Sequence, residues 1–273
     1  VEPRDTAGQD GPSVRPTVAR DGTVYAAYFG WRRFDGSVAT SDVVVVRDDS
    51  AANTFQALMG SDGLPGRLVA QGVGIPWSNA PTLGQERIGS TLSIAVDPNN
   101  SSTVYVAWGD RVGTDIYTIH VRRSTDRGLS WSADLRVIAN ATNAALAIAN
   151  SGTVGLLYQR VDGSGSGSRW ETRLEQTRDV FTTTQNTVLA SVPADTPAIQ
   201  FLPYIGDYNY LLAVGDEFRG VFSANNTPDL ANFPQGVKYQ RRINPTGKTL
   251  EDASGQSVAS SIDPFYFSIP VVR

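Results

Sequence analysis

The chain has 273 residues, of which 40% are hydrophobic and 18% are charged, and its formal net charge is −4. Nucleic-acid-binding domains concentrate positive charge, so this balance argues against a nucleic acid as partner. No apolar run approaches the roughly 18–20 residues of a membrane span, and the lack of cysteine excludes disulfides and thiolate metal sites. The many glycines (26) and prolines (15) favour short strands and tight turns over helices.

A hairpin pattern occurs four times along the chain. Its copies cover residues 16–28, 92–108, 145–158 and 210–222. The turn of the first copy is Asp21-Gly22, a dipeptide typical of two-residue hairpin loops. One apolar position recurs in every copy, as Val24, Val104, Val154 and Phe218. Residues 141–149 are rich in alanine, which favours a helix by propensity, but their alignment with the other copies predicts a strand.

A second pair of predicted strands follows each hairpin and gives about four strands per unit. These pairs are 42–47 with 54–58, 116–121 with 135–138, 171–175 with 187–190, and 237–241 with 265–269. Such a repeat predicts an all-β propeller of four-stranded antiparallel blades. We expect one domain over residues 1–273, with blades at roughly 14–60, 90–140, 143–192 and 205–271. Small residues in the innermost strands suit crowding near a central axis: Ala19, Ala95, Ala147 and Ala213.

Two glycine-rich segments interrupt these units. Residues 60–89 are predicted to form a long loop, and loops of this length in compact domains are often functional. Residues 162–168 form a Gly/Ser run that is compatible with an interdomain linker or a mobile hairpin loop. Their position between two strands of one unit favours the hairpin loop.

The segment Ser124-Thr-Asp-Arg-Gly-Leu-Ser-Trp131 lies between two predicted strands. Ser124 and Asp126 can fold their side chains onto nearby backbone N–H groups, and Gly128 permits a positive φ. The segment resembles the Asp-box (Ser-x-Asp-x-Gly-x-Thr-Trp), the bacterial neuraminidase repeat of the sialidase superfamily. Ser130 stands where the motif has threonine, and Trp131 matches the tryptophan of the motif. In that family the box is a structural turn remote from the active site.

The resemblance implies a secreted, sialidase-like propeller and predicts degraded copies of the turn, with Phe55 and Phe181 in the place of Trp131. Sialidases have six blades. Four recognisable units therefore imply either a ring of four or five blades or part of a six- or seven-bladed ring that lacks its first blades.

The same resemblance implies an exo-sialidase-type glycoside hydrolase as one functional alternative. Such enzymes use an arginine triad, a Tyr–Glu pair and an acid/base Asp, and an Arg-Ile-Pro motif carries the first arginine. The nearest strings here, residues 74–76 and 268–270, lack that arginine. This departure favours a module that binds a glycan or protein without catalysis, or a structural assembly subunit, over a hydrolase.

An aromatic residue followed by charged residues ends the second strand of three units. The candidates are Trp31, Arg32 and Asp35, then Trp108, Asp110 and Arg111, then Tyr158 and Arg160, with Asn225 and Asn226 in the same place in unit four. Aromatic faces stack on sugar rings, and Arg/Asp pairs hydrogen-bond hydroxyls or carboxylates, so these residues are predicted to line a ligand-binding face. The alternative is that the aromatic rings pack between blades and the charges pair at the rim.

A weaker catalytic candidate lies at the entry to unit four. Asp207, with Tyr208 or Tyr210 and with Glu217, could supply an acid, a phenol and a carboxylate. The alternative is a structural blade entry in which Asp207 caps a turn.

Calcium is the one ion for which the sequence offers a candidate site. The loop 97–100 and Asp207 carry oxygen ligands of the kind Ca²⁺ favours, but their spacing matches no dedicated calcium loop and turn chemistry is the default. No other metal or cofactor is expected. The single histidine, His120, lies in a predicted strand and is expected to be structural.

Overall fold

The computed structural model describes residues 14–36, 38–50, 55, 57–76, 79–80, 84–85, 91–113, 116–196, 205, 209–238 and 241–272. Strands dominate this part of the chain, and its helical segments are two short 3₁₀ turns, Gly165–Gly167 and Leu230–Asn232. None of the described helical segments has the length and apolar character needed to cross a membrane.

Four antiparallel sheets form the fold. The first contains β1 (Arg15–Val18), β2 (Val24–Phe34), β3 (Val38–Asp48) and β4 (Arg67–Pro76). A short pair follows, β5 (Asn79–Ala80) and β6 (Gly84–Gln85). The second sheet contains β7 (Leu92–Asp97), β8 (Asn100–Gly113), β9 (Ile116–Ser124) and β10 (Arg136–Ala139). The third contains β11 (Ala141–Ile148), β12 (Val154–Asp162), β13 (Arg169–Thr177) and β14 (Gln185–Pro193).

The fourth sheet has three strands among the described residues. It contains β15 (Tyr210–Val214) and β16 (Glu217–Asn225), and its third strand is the last of the chain. Between them lies a small sheet of β17 (Arg242–Asn244), β18 (Thr249–Glu251) and β19 (Ser257–Val258), after which β20 (Ile262–Pro270) pairs with β16. In all four sheets, strands that follow one another within the sheet are hydrogen-bonded neighbours.

The innermost strands β1, β7, β11 and β15 lie around one axis and line a central cavity of about 530 Å³. Side-chain hydroxyls connect neighbouring inner strands: Thr17 Oγ1 accepts a hydrogen bond from Val96 N (3.4 Å), and Ser93 Oγ accepts one from Leu146 N (2.9 Å). The fold is therefore a β-propeller with four recognisable blades, as predicted. Within the described residues the four sheets do not close into a ring.

Successive blades pack face to face through apolar side chains that alternate along their strands. The recurring apolar position found in the sequence lies in these interfaces, because Val104, Val154 and Phe218 each belong to the cluster shared with the preceding blade. Fully buried rings anchor the contacts, and a Cβ placed on Gly155 would lie only 2.7 Å from the ring of Phe218. A glycine in β12 thus makes room for an aromatic residue of the next blade.

The outermost strand of the first blade differs from the prediction. In their described part, residues 54–58 form a loop and not a strand, because Asp48 Oδ2 accepts a hydrogen bond from the backbone N–H of Phe55 (2.8 Å). The fourth strand is instead β4, which lies inside the predicted loop 60–89. Glycines interrupt its sequence, and Gly72 adopts a φ of 68° at a bulge, so the segment lacks the pattern of a regular strand.

One further predicted strand is wrong, and two further segments have the predicted structure. Residues 237–241 were expected to be a strand, but their described members lie outside strands, and the partner of β16 is β20. The strand prediction for residues 141–149 is confirmed, since β11 covers them up to Ile148. Residues 162–168 connect two strands of one sheet and are therefore a hairpin loop.

Residues 124–131, which we call the Ser124 turn, connect the third and fourth strands of the second blade. Asp126 Oδ1 accepts hydrogen bonds from Ser124 Oγ (2.7 Å) and Ser130 N (2.9 Å), and its Oδ2 accepts one from Ser130 Oγ (2.5 Å). Ser124 Oγ in turn accepts a hydrogen bond from Gly128 N (2.8 Å). The side chains of Ser124 and Asp126 thus accept hydrogen bonds from backbone N–H groups of the turn, and Ser130 Oγ holds the Asp126 carboxylate in place.

Residues 177–184, which we call the Thr177 turn, repeat this pattern in the third blade. Asp179 accepts hydrogen bonds from Thr177 Oγ1 (2.9 Å), Thr183 N (2.9 Å) and Thr183 Oγ1 (2.6 Å). Thr177 Oγ1 accepts one from Phe181 N (3.0 Å), so Phe181 takes the place of Gly128 and adopts a φ of 65°. The prediction that Phe181 takes the place of Trp131 is wrong. Its buried ring between blades two and three compensates for a conformation that favours glycine.

We predict that Asp126→Ala lowers the free energy of unfolding by about 1–2 kcal/mol, because it removes the acceptor of three hydrogen bonds in the Ser124 turn. Urea unfolding followed by circular dichroism measures the change. The control is Asp162→Ala, which removes an exposed partner of Arg160 and is expected to cost less than about 0.5 kcal/mol. Equal effects of the two variants would contradict a structural role for Asp126.

Candidate binding site

The propeller has two unlike ends. The turn end carries the hairpin turns that follow the inner strands, together with the Ser124 and Thr177 turns. At the distal end the inner strands begin and the second strands of the blades stop. Because the strands of each sheet are antiparallel, every blade contributes the same kind of connection to the same end.

Hydrogen bonds between blades close the turn end. Arg20 Nη2 donates to Asn150 Oδ1 (2.7 Å), and Asn99 Nδ2 donates to the carbonyl of Asn150 (2.6 Å), so the first three blades are joined near the axis. Arg127 of the Ser124 turn donates through Nη2 to Asp49 Oδ1 (2.8 Å) in the first blade. The polar side chains here hold the blades together.

The distal mouth of the central cavity is the candidate site. Among the residues that line the cavity at this end are Arg15, Asn209 and Tyr210. Arg15 Nε donates to the carbonyl of Leu92 (3.2 Å), which holds the guanidinium beside the opening. Asn209 Nδ2 donates to the carbonyl of Asn143 (3.1 Å), while Asn209 Oδ1 is buried and has no hydrogen-bond partner within the described part of the chain. Tyr210 is 63% exposed. The mouth thus brings together a guanidinium and an exposed aromatic side chain, and an amide oxygen without a hydrogen-bond partner in the described part of the chain lies buried beside them.

Neutral amides lie behind this mouth and connect blades three and four. Asn143 Nδ2 donates to Gln159 Oε1 (2.8 Å), and Gln159 Nε2 donates to the carbonyl of Ser223 (2.7 Å). Asn225 Nδ2 donates to the carbonyl of Thr196. Asn143 has a φ of 59° at a bulge between β11 and β12, a conformation that asparagine tolerates. The sequence did not single out Asn143. The one feature that could have indicated it is a polar amide within an alanine-rich predicted strand.

The three aromatic candidates from the sequence are buried. Trp31, Trp108 and Tyr158 are 3%, 1% and 1% exposed, and their rings lie in the interfaces between blades. A sugar could not stack on them without rearrangement of the blades. Their burial favours the alternative in which these aromatic rings pack between blades and do not contact a ligand.

The charged candidates lie at the rim with partners of their own. Arg32 Nε donates to Asp42 Oδ2 (2.7 Å), and Asp42 is fully buried. Asp35 Oδ1 accepts a hydrogen bond from Val38 N (2.7 Å), which caps the turn between β2 and β3. The other two arginines also stay within their own blades. Arg111 Nε donates to the carbonyl of Gly113 (3.2 Å), and Arg160 Nη2 pairs with Asp162 Oδ1 (2.6 Å).

A charged cluster surrounds His120 between β4 and the second blade. His120 Nε2 lies 3.3 Å from Asp110 Oδ1, and His120 Nδ1 lies 2.9 Å from Asp134 Oδ2. Arg122 Nε donates to Asp134 Oδ1 (2.6 Å), and the His120 ring stacks on Trp108 with centroids 5.1 Å apart. Burial lowers the pKa of His120, but its hydrogen bonds to Asp110 and Asp134 outweigh burial and raise the pKa above its ordinary 6.5. The expectation that His120 is structural agrees with these contacts.

A second cluster joins the second and third blades. Arg136 donates through Nε (2.9 Å) and Nη2 (2.6 Å) to the fully buried carboxylate of Glu175, and Tyr158 Oη donates to Glu175 Oε1 (2.8 Å). Burial first, and then the charge of Glu175, raise the pKa of Tyr158 to about 12. A phenol with a raised pKa is a poor nucleophile at neutral pH. The Tyr158–Glu175 pair is therefore an interblade contact.

Two members of the predicted catalytic group, Glu217 and Tyr210, lie at opposite ends of the fourth blade. Glu217 lies at the turn end of β16, opposite Val214, whereas the entry to β15 lies at the distal end. Glu217 pairs with Arg219 through a 2.7 Å contact, and the hydrogen bond from Arg219 lowers the pKa of Glu217. Asp207 and Tyr208 lie outside the described residues. The length of β15 separates Glu217 from Tyr210, the member of the predicted group that lies at the start of this strand.

In the described part of the chain, no three His, Cys, Asp or Glu side chains form a group that could hold a metal ion. In the loop 97–100, Asp97 Oδ1 accepts a hydrogen bond from Asn99 N (2.9 Å) and Asn100 Oδ1 accepts one from Ser102 N (3.1 Å). These oxygens serve the turn, which was the default expectation.

No protein-family model and no curated protein matches this chain. Among solved structures it is similar to the GH93 α-L-arabinofuranosidase of Fusarium graminearum, with 12% identity, a TM-score of 0.42 and coverage of 93% of this chain and 61% of that one. It is also similar to the sialidase of Trypanosoma rangeli in complex with sialic acid, with 12% identity, a TM-score of 0.43 and coverage of 82% of this chain and 35% of that one. A third similar structure is the endo-arabinase of Bacteroides thetaiotaomicron, with 11% identity, a TM-score of 0.43 and coverage of 96% of this chain and 94% of that one. This chain thus spans less than two thirds of the first two proteins, and these distant likenesses assign it no activity.

We predict that replacing His120 with glutamine changes the pH dependence of stability. The folded pKa of His120 is raised, so its stabilising contribution is complete below 6.5 and is lost as the pH rises through the folded pKa. The advantage of the wild type over His120→Gln should therefore be larger at about pH 5.5 than at about pH 8.5. Thermal unfolding at a series of pH values measures this difference. Parallel profiles for the two proteins would show that the cluster does not hold a protonated imidazole.

Proposed function

We propose that this protein is a non-catalytic binding propeller that takes a glycan at the distal mouth of its central cavity. The observation that carries the proposal is the grouping of Arg15, Asn209 and the exposed Tyr210 around one opening. Ligand sites combine apolar or aromatic surface with a few polar groups that fix orientation. A guanidinium and an amide oxygen suit the hydroxyls and carboxylates of sugars, and the tyrosine ring offers a face for stacking.

The carboxylates near the distal end support binding without hydrolysis. Four of them accept a hydrogen bond from a basic or amide side chain: Asp42 from Arg32, Asp110 from His120, Glu171 from Arg173, and Asp263 from Asn226. A glycosidase needs a general acid whose pKa is raised by its surroundings. Seven described carboxylates have a shifted pKa, and in each of these seven the pKa is lowered, so none of the seven meets that requirement. Asp207 and Tyr208, outside the described residues, remain the candidates of the hydrolase alternative.

We also propose that the Ser124 and Thr177 turns are two Asp-boxes of a sialidase-like propeller that acts outside the cell. Both turns use a hydroxyl, an aspartate and a second hydroxyl in the same hydrogen-bonding pattern. Their position at the turn end is compatible with a ligand at the opposite end. A protein ligand at the distal mouth is the alternative occupant.

We predict that a glycan identified on an array binds the wild-type protein and that Arg15→Ala weakens this binding by roughly tenfold, because a charge-assisted hydrogen bond is lost. Asn209→Ala should weaken it in the same direction. Isothermal titration calorimetry with the identified glycan measures both variants.

The matched control for this experiment is Arg20→Ala. Arg20 follows the same strand, β1, but lies at the turn end, where it pairs with Asn150. Its loss should leave glycan affinity unchanged. If Arg20→Ala and Arg15→Ala weaken binding equally, or if no glycan on the array binds, the proposed site is refuted.

We predict that the purified protein does not hydrolyse a fluorogenic sialoside or arabinofuranoside above background. The reason is that the described distal carboxylates are committed to hydrogen bonds. Release of the fluorophore over several hours measures turnover. Turnover that disappears in Arg32→Ala or Arg111→Ala would reverse the choice between a binding module and a hydrolase.

A further inference from the structure

The second strand of the fourth blade, β16, differs from its counterparts in the other blades. In the first three blades the second strand is buried on both faces over its middle, at residues 24–31 of β2, 104–109 of β8 and 154–159 of β12. In β16 buried and exposed residues alternate. Phe218 and Phe222 pack towards the third blade, whereas Arg219 and Val221 on the other face are exposed. The outward face of the fourth blade is therefore exposed where the faces of the other second strands are covered.

Two tyrosines lie in one row on this outward face. Tyr210 of β15 is opposite Val221 of β16, and Val221 is opposite Tyr266 of β20. The two tyrosines are 63% and 65% exposed. Neighbouring strands are about 4.8 Å apart, so roughly 10 Å separate the backbones of Tyr210 and Tyr266. We call these three residues the tyrosine row. It has an aromatic side chain at each end and an aliphatic one between them.

A polar row lies beside the tyrosine row. Two positions further along the same strands, Leu212, Arg219 and Ser268 are opposite one another. Arg219 donates through Nε (2.9 Å) and Nη2 (2.7 Å) to Glu217 Oε2, and this contact holds the guanidinium on the surface. Both side chains stay accessible, since 45% of Arg219 and 39% of Glu217 are exposed. The face thus combines aromatic side chains with a charge-balanced polar pair.

This charge balance restricts the class of ligand. Single-stranded nucleic acids also stack on exposed aromatic side chains of a sheet, but they need positive charge along their backbone, and here Glu217 neutralises Arg219. A protein that covered the face would have to remove water from this ion pair, which costs free energy. A sugar chain meets neither obstacle, because its hydroxyls hydrogen-bond charged groups and its ring faces stack on tyrosine.

We propose that the outward face of the fourth blade binds a linear, uncharged polysaccharide that runs across its three strands. The separation of the two tyrosines is of the order of one disaccharide, so each tyrosine stacks on a different ring of one extended chain. Arg219 and Glu217 orient the chain through its hydroxyls. Tyr210 also borders the distal mouth, but Tyr266 and Arg219 do not line the central cavity. The surface is therefore separate from the proposed site and does not rest on it.

Isothermal titration calorimetry with cellohexaose, xylohexaose and mannohexaose tests the proposal. At least one of these hexasaccharides should bind the wild type, and the corresponding monosaccharide should bind at least roughly tenfold more weakly, since one ring cannot reach both tyrosines. Tyr266→Ala should weaken binding of the hexasaccharide roughly tenfold, because it removes one stacking contact. Tyr266→Phe keeps the ring and should bind like the wild type.

The matched control is Val137→Ala, which shortens an exposed side chain on the second blade and should leave the affinity unchanged. Arg15→Ala separates this surface from the proposed mouth site. Full affinity in Arg15→Ala with a loss in Tyr266→Ala supports the surface, even where the mouth takes no glycan. A loss in Arg15→Ala with full affinity in Tyr266→Ala would place the chain at the mouth and overturn the inference.

Three further results would also overturn the inference. One is that none of the three hexasaccharides binds the wild type. Another is a dimer of the protein alone that Tyr266→Ala dissociates, measured by sedimentation, since a second copy would then cover the face. The third is binding of a labelled single-stranded DNA that Tyr266→Ala abolishes.

Discussion

Burial of both faces of each sheet is the constraint on which this protein depends. A strand that alternates apolar residues on two sides needs a neighbouring sheet on each side, and the blades meet this need by packing on one another around an axis. The result is visible in single pairs: Gly155 of β12 leaves space for the ring of Phe218, and Trp108 lies fully buried against the first blade. Polar contacts such as Arg136–Glu175 then fix how neighbouring blades are positioned.

The two ends of the propeller follow from the same arrangement. Antiparallel strands place connections at both ends. At the turn end, short side chains such as Asp126 and Asp179 accept hydrogen bonds from the backbone, while Arg20 donates to Asn99 and Asn150 of two other blades. The other end receives the starts of the inner strands, where the chain crosses between blades and the cavity opens. Polar groups that no turn needs, such as Asn209 Oδ1, are found there. Hydrogen bonds between blades thus close one end, and the central cavity opens at the other.

The fourth blade departs from this pattern in two ways. Its outward face exposes Tyr210, Val221 and Tyr266, which lie in register across three strands, and its third strand has an open edge in the described part of the chain. Exposed edges are a liability for aggregation, and proline is a usual means of limiting it. Pro264 and Pro270 confine pairing at this edge to a short stretch.

The sequence by itself determined the repeated hairpins, the strand assignment of the alanine-rich segment 141–149 and the Ser124 turn, because these depend on local alternation and on turn residues close together in the chain. It misplaced the outer strand of the first blade at residues 54–58, because the glycines of β4 interrupt the alternation that marks a strand. It also selected Trp31, Trp108 and Tyr158 as ligand contacts. Only the tertiary structure decided that these rings are buried, that Phe181 takes the place of Gly128, and that Arg15, Asn209 and Tyr210 share one opening. The physical reason is distance along the chain: burial and convergence at the axis arise from blades some 50 to 80 residues apart, about which local alternation carries no information.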